Sequence, residues 1–344
     1  MRGRIAGMST ATSFLGLHLK SPVLVASGPA SHDVNQVPLA QDHRAGAMVL
    51  KTACSDKYAD MRYWPRPRYK MLDWDKQIAG RSKAFSLYSY EQGYSGSLED
   101  YWEFIRVAKQ HARMPIIGSI FADDASDWAA MAAKVEESGA DAIELDISSP
   151  HRPGSLGFES TFVAAIRAVV GAVTIPVLVK LGPGPDVLDQ CVAAEVCGAS
   201  ALTLCNRLRG IDVDVESQKP ILHGYYAGIG GPWAKYYTMR HVAEAAQRVS
   251  IPISATGGVM SGEDAVKYFL LGASNVQILS VILVNGWESI GRINDDIDAY
   301  LARKGAASVD EIRGKALCNL AAPDDIVRWS GEPLEGPRNV WKSR

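Results

Sequence analysis

The stretch AIELDISSPHRPG, residues 142–154, decides how the chain is read. It opens as a short apolar strand, Ala142–Leu145, and breaks at Asp146 into serines, a proline, a histidine, an arginine and a Pro-Gly turn. A buried strand that runs into a polar loop is how a β/α barrel presents reactive groups at its carboxyl-end face. An ordinary connection whose Asp and Ser side chains cap the next helix would look the same locally. The rest of the chain decides between the two.

Working outward, eight short apolar runs recur at residues 23–27, 47–52, 115–120, 142–146, 176–181, 201–206, 252–258 and 276–280. Runs without polar alternation suit parallel strands buried on both faces. Helical patterns separate most of them, at residues 127–138, 162–170, 187–197, 234–249, 262–271 and 287–303. GADAIEL, GASALTL and GASNVQI each place a glycine between helix and strand, where a left-handed cap favours it. Repeated strand–helix alternation predicts a single (β/α)8 TIM barrel. Its expected span is residues 14–310, entered through a small hairpin at 14–19. A flexible lead, 1–13, would precede it, and a carboxyl-terminal extension, 311–344, would pack on it. The connections at 54–101 and 207–231 are too long for simple loops. Both leave strand carboxyl ends and are expected to cover the mouth as lids or binding loops. The first could instead serve an oligomer contact.

Bulk properties exclude several classes. The 344 residues are 47% hydrophobic and 22% charged, with a formal net charge of -2. That suits a soluble globular protein and gives no support to nucleic-acid binding. The five cysteines form no close CxxC pair, which argues against structural zinc and suits a reducing compartment. The amino terminus lacks a secretory core, Met8 is a candidate start, and no run reaches the roughly 18 apolar residues of a membrane span. A cytoplasmic location is expected.

Candidate chemistry collects at strand ends. Lys51 and Lys180 end the second and fifth runs. A lysine there is costly unless it meets a negative partner, such as Asp146, or works catalytically. Together the two lysines favour an anionic ligand. Thr256, Gly257 and Gly258 after the seventh run, and Ser280 after the eighth, fall where barrels bind phosphate through backbone N–H groups. GIGG at 228–231 is a flexible segment or a plain turn. Ser149 needs a proton relay to act, and His151 is either a ligand contact or a surface residue. No GxSxG elbow and no metal-ligand spacing is present, so no metal is expected.

The ordered series FLGLHLKSPVLVASGP, GAMVLKT, RPRY, IELDISSP, VLVKLGP, LCN, GIGG, IPISATGGVMSGEDA and GASNVQI resembles the dihydroorotate dehydrogenase family. It is also similar to the matching domain of dihydropyrimidine dehydrogenases. The resemblance runs from about residue 14 to 285 and implies FMN. By that likeness Ala26, Ser27 and Gly28 lie against the flavin, with Thr52 beside them. Lys51 and Lys180 contact its ring, Lys180 near the N1–O2 edge. Gly231, Thr256, Gly257, Gly258, Leu279 and Ser280 surround the phosphate. Ser149 matches the active-site base, cysteine in some branches and serine in others.

The departures concern the substrate. The family grips its pyrimidine with asparagine side chains, because an amide donates and accepts at once. Only Asn206 survives. Asp146, His151 and, less securely aligned, Ser86 stand at the other positions, and Arg207 replaces a small polar neighbour. The resemblance therefore implies an FMN-dependent oxidoreductase that interconverts C–C and C=C bonds beside a carbonyl in a small polar substrate other than dihydroorotate. A true dihydroorotate or dihydropyrimidine dehydrogenase is the alternative. A flavin-free phosphate-binding lyase or isomerase, and a flavin-binding protein without catalysis, are the readings from other classes. The expected partners are a small-molecule substrate, an electron donor or acceptor of unknown identity and a second copy in a homodimer. No nucleic acid or membrane partner is expected.

Overall fold

The computed structural model describes residues 11–62, 69–72, 85–89, 93–148, 161–222 and 226–320. Eight parallel strands form a closed barrel: β1 Val23–Val25, β2 Met48–Val49, β3 Ile116–Phe121, β4 Ala142–Leu145, β5 Val177–Leu181, β6 Ala201–Leu204, β7 Ile253–Thr256 and β8 Asn275–Ile278. Closure comes from β2, which pairs with both β1 and β3. The eight-stranded expectation holds, with boundaries moved by a residue or two. The run at 47–52 is shorter as a strand than expected. There the Lys51 N–H donates to the Ser31 carbonyl at 2.8 Å and the Thr52 N–H to Ser27 Oγ at 3.0 Å. The backbone so leaves the ladder and rejoins β3 at Ala53–Cys54.

Helices fill the connections. Glycines at the ends of three of them, Gly139, Gly198 and Gly272, have φ of +91°, +90° and +104°, the left-handed turn that releases each chain into β4, β6 or β8. The sequence reading did not anticipate the helices Gln36–Asp42 and Leu98–His111. The second is legible in retrospect. Ser97 and Asp100 form a reciprocal capping box, and Tyr101, Trp102, Ile105 and Ala108 make one buried stripe;.

Side chains alternate between the helix layer and the barrel interior. At the amino-end face the inward residues are apolar. Leu24, Val49, Ile117, Ala142, Leu178 and Ala201 form one buried cluster with Phe14 and Leu19. Those last two come from the hairpin Thr12–Phe14 and Leu17–Leu19, which turns at Leu15 and Gly16 with φ of 57° and 77°. The hairpin closes this end of the barrel. Two residues further along β3, β4, β5 and β6 the interior turns polar, at Ser119, Glu144, Lys180 and Thr203, all buried.

Above the carboxyl ends, the two long connections pair with each other. Ser86–Ser89 bonds antiparallel to Ala227–Gly230, with Tyr69–Leu72 and Leu208–Gly210 at the two edges. At the other side of the chain, Gly314 and Ala316 N–H groups donate to the carbonyls of Phe269 and Leu270, both at 2.9 Å. Those bonds satisfy the end of helix Gly262–Leu270. Among the described residues, no helix is long and apolar enough to cross a membrane.

The hairpin should carry stability out of proportion to its length. Phe14→Ala should cost about 3 kcal/mol, in the range for emptying a buried aromatic site, read as a lower urea midpoint. An unchanged midpoint would show that the hairpin is not part of the barrel core.

Candidate functional site

A cleft open on one side lies at the carboxyl-end face over β5–β8 and the end of β1, where barrels bind their ligands. Ala26, Ser27, Lys180, Asn206, Arg207, Gly231, Thr256, Gly257, Gly258, Leu279 and Ser280 line it. The structure thus brings most of the sequence-predicted site residues to one surface. Gly28 packs beneath Leu279, where a Cβ would lie 2.5 Å from Leu279 Cδ2.

One end of the cleft is made of backbone. Gly257 and Gly258 have φ of +129° and +70°, a conformation glycine adopts without strain. A Cβ on Gly258 would fall 2.5 Å from the Lys235 nitrogen and 2.9 Å from the Pro232 carbonyl oxygen. Tyr268 secures this turn by donating its hydroxyl to the Gly257 carbonyl at 2.7 Å, and its oxygen also meets Thr238 Oγ1. Asp264 accepts from the Met260 N–H at 3.0 Å and from Lys235 Nζ at 2.6 Å, which fixes the next residues. Gly231 admits the lid, because a Cβ there would sit 2.2 Å from the Phe85 carbonyl oxygen.

The floor is the polar layer of the barrel. Lys180 Nζ donates to Glu144 Oε1 at 3.2 Å, with side chains 7% and 0% exposed. Lys180 therefore does have a carboxylate partner, but it is Glu144 and not Asp146. Glu144 Oε2 accepts from Thr203 Oγ1 at 2.8 Å and from Gln277 Nε2 at 3.0 Å. Gln277 also lines the cleft, and its Oε1 is buried without a hydrogen-bond partner. Sequence reasoning missed Glu144 and Gln277. Their signal was a charged and an amide residue inside the apolar runs AIEL and NVQI.

A second polar chain joins the remaining predicted residues. Ser27 Oγ and Thr52 Oγ1 lie 3.0 Å apart, Thr52 Oγ1 is 2.9 Å from Ser119 Oγ, and it donates to Asp146 Oδ2 at 3.4 Å. Asn206 Nδ2 donates to Asp146 Oδ1 at 2.8 Å, while Asn206 Oδ1 accepts the Arg207 N–H at 2.9 Å. Burial pushes the Asp146 carboxyl above its usual value; Lys180 opposes this, Glu144 adds to it and Lys51 opposes it. Lys51 is buried beside this chain. Arg207 donates to Ser89 Oγ and lies over Gly228, where a Cβ would come 2.7 Å from its Cζ. Ser86 is buried and accepts from Nε1 of the cleft-lining Trp233 at 3.1 Å. Ser149 and His151 lie outside the described residues.

Thiol chemistry finds no support in the described cleft. Burial pushes the Cys54 thiol up to about 12 and raises that of Cys205, which lines the cleft; nucleophilic cysteines need the opposite shift. Among the described residues, no group of His, Cys, Asp or Glu could hold a metal ion.

The arrangement offers a glycine turn that exposes backbone, a buried ammonium and amide and hydroxyl donors around one cleft. The family model described as dihydroorotate dehydrogenase matches residues 9–301. The catalytic subunit of dihydroorotate dehydrogenase B (NAD(+)) from Thermococcus kodakarensis is 33% identical over 308 residues, covering 88% of this chain and 96% of that one. Its namesake from Methanothermobacter thermautotrophicus is 30% identical over 313 residues, covering 89% and 97%. The one from Pyrococcus abyssi is 31% identical over 311 residues, covering 89% and 98%.

Gly258→Ala tests the cradle. The Cβ collision and the positive φ should together cost about 1–3 kcal/mol, seen in urea unfolding, and weaken binding of a phosphorylated ligand in the cleft. Parent-like stability and binding would mean the turn is not as closely packed as described.

Proposed function

The chain belongs to the dihydroorotate dehydrogenase family, and on that premise we propose that its cleft holds FMN and uses it on dihydroorotate. The family makes it an oxidoreductase acting on CH–CH groups. The observation that carries the cofactor is the meeting of the Gly257–Gly258 turn, Leu279 and Ser280 with the Lys180 ammonium in one cleft. A cradle without Cβ atoms suits a phosphate, and a buried cation suits an electron-rich ring.

The residues divide the work. Gly231, Gly257, Gly258, Leu279 and Ser280 would hold the phosphate end, and Thr256 the turn before it. Ala26, Ser27 and Gly28 would support the ring with Thr52 behind them, and Lys51 and Lys180 would set the charge around it. Bound FMN would supply the hydride chemistry. Ser149 would move the proton, with His151 or Asp146 completing the relay. Asn206 and Arg207 would orient the substrate.

The relatives' names favour dihydroorotate over the expected different substrate, and Asp146 can be reconciled with them. A neutral carboxyl has one donor and one acceptor, as the amide edge of a dihydropyrimidine requires; an ionised one only accepts. Burial favours the neutral form. The sign follows: as pH rises through the raised pKa of Asp146, the donor is lost and a negative charge develops beside Asn206, which lines the cleft. Orotate affinity should therefore fall with rising pH, and Asp146→Asn should flatten the profile and bind about tenfold tighter on its alkaline side. A parent profile as flat as that of the variant would remove Asp146 from recognition.

A second reading rests on Lys51 and Lys180, which pull Asp146 toward its ionised form. The substrate would then be an uncharged molecule rich in N–H donors. Anaerobic mixing separates the two: bleaching of bound flavin by dihydroorotate supports the first, and bleaching only by uncharged dihydropyrimidines supports the second. Relatives named as catalytic subunits of NAD(+)-linked enzymes support a partner chain that carries electrons onward. A homodimer of this chain belongs to the same proposal.

Ser149→Ala should keep its flavin and slow flavin reduction by about 10²–10⁴, the range for a lost general acid or base. Stopped-flow reduction at the parent rate would take Ser149 out of the mechanism.

A further inference from the structure

Glu144 is fully buried in the barrel interior, directly under the cleft. An isolated carboxylate there would be very costly. It is instead held by donors from three other strands: Lys180 of β5, Thr203 of β6 and Gln277 of β8. The amide orientation of Gln277 follows from its neighbours. Its Nε2 reaches Glu144 Oε2, Thr203 Oγ1 at 3.3 Å and Ser254 Oγ at 3.1 Å; the flipped amide would set an oxygen against a carboxylate. Ser254 in turn donates to Asn275 Oδ1. Thr203 and Gln277 are thus braced by each other, and Gln277 also by Ser254, around the Glu144 carboxylate.

Lys180 is the member of this network that combines a full positive charge with a place in the cleft lining. An ammonium has three N–H donors, and Glu144 occupies one. The rest of its charge faces the cleft, reduced by the opposite charge behind it. In a low-dielectric floor, that second charge is felt by anything bound above.

We propose that Glu144 is a positioning residue: it fixes Lys180 at the cleft floor and, through its charge, limits how strongly the floor favours negative charge on the bound cofactor. The inference rests on the reading that the cofactor is FMN, whose ring system becomes more electron-rich on reduction. With Glu144 present the pair is neutral and the floor favours reduction only moderately. Removing its charge leaves Lys180 as an uncompensated cation and shifts the equilibrium toward the reduced form.

The test measures the reduction equilibrium of bound FMN against a reference dye at pH 6, in the intact protein. Flavin content is measured first: parent protein that neither contains nor takes up FMN fails the cofactor reading itself. Given bound FMN, Glu144→Gln should favour reduction tenfold or more, about 30 mV for a two-electron couple. Thr203→Val removes a hydrogen bond to Glu144 without changing charge, and should stay within about threefold of the parent. The double variant Glu144→Gln with Lys180→Gln restores a neutral pair and should return to within about threefold as well. It also serves if the single variant does not fold. A purely structural role predicts the opposite pattern, with damage that accumulates in the double variant and tracks stability. A Glu144→Gln equilibrium equal to the parent's with FMN bound, or a double variant shifted tenfold or more, overturns the proposal.

Discussion

A carboxylate with no exposed surface sits inside a barrel of eight strands, and the arrangement above it follows from the need to satisfy it. Glu144 is matched by an ammonium, a hydroxyl and an amide from three different strands. Removing one side of such a pair costs about 3–5 kcal/mol, because the other charge stays buried. The constraint therefore acts on register as well as on energy. A one-residue slip of β5 would turn Lys180 out of the interior and put an apolar side chain against the carboxylate. Strand pairing, polar layer and cleft floor are one commitment.

The barrel is divided along its axis by function. Its amino-end half is apolar and closed by the hairpin at Phe14 and Leu19. Its carboxyl-end half is polar and covered by a small sheet that the two long connections build between them. Backbone supplies one end of the cleft and charged side chains supply its floor. Glycines stand where chain meets chain, at Gly231 under Phe85 and Gly258 against Lys235. A ligand with a phosphate tail and a planar polar head would meet both kinds of surface at once.

Much of this was legible in the sequence, for physical reasons. Strands buried on two faces read as apolar runs, and the helix-ending glycines before β4, β6 and β8 mark where each strand begins. The strand-end lysines and TGG are exceptions to local rules and so stood out. The polar interior was harder to see. Glu144, Thr203 and Gln277 each sit alone between apolar neighbours, so the runs kept their apolar character while hiding one inward polar residue each. Periodicity also failed to show that Lys180 pairs with Glu144, since the partners lie on different strands. Helix Leu98–His111 was absorbed into the reading of a long connection, although its capping box at Ser97 and Asp100 was available. Ser86 sits one residue behind the cleft-lining Trp233, to whose Nε1–H its hydroxyl is bonded. That follows from lid pairing, which no local pattern announces.

The central claim is that this cleft is a flavin site, and flavin stoichiometry tests it most directly. Protein purified in the dark, then heat-denatured and cleared, should release FMN at about one per chain, as a single cofactor cleft requires, and the folded protein should show a flavin band whose shape is altered by the site. Protein that releases no flavin, and takes up none when FMN is added, would contradict the account.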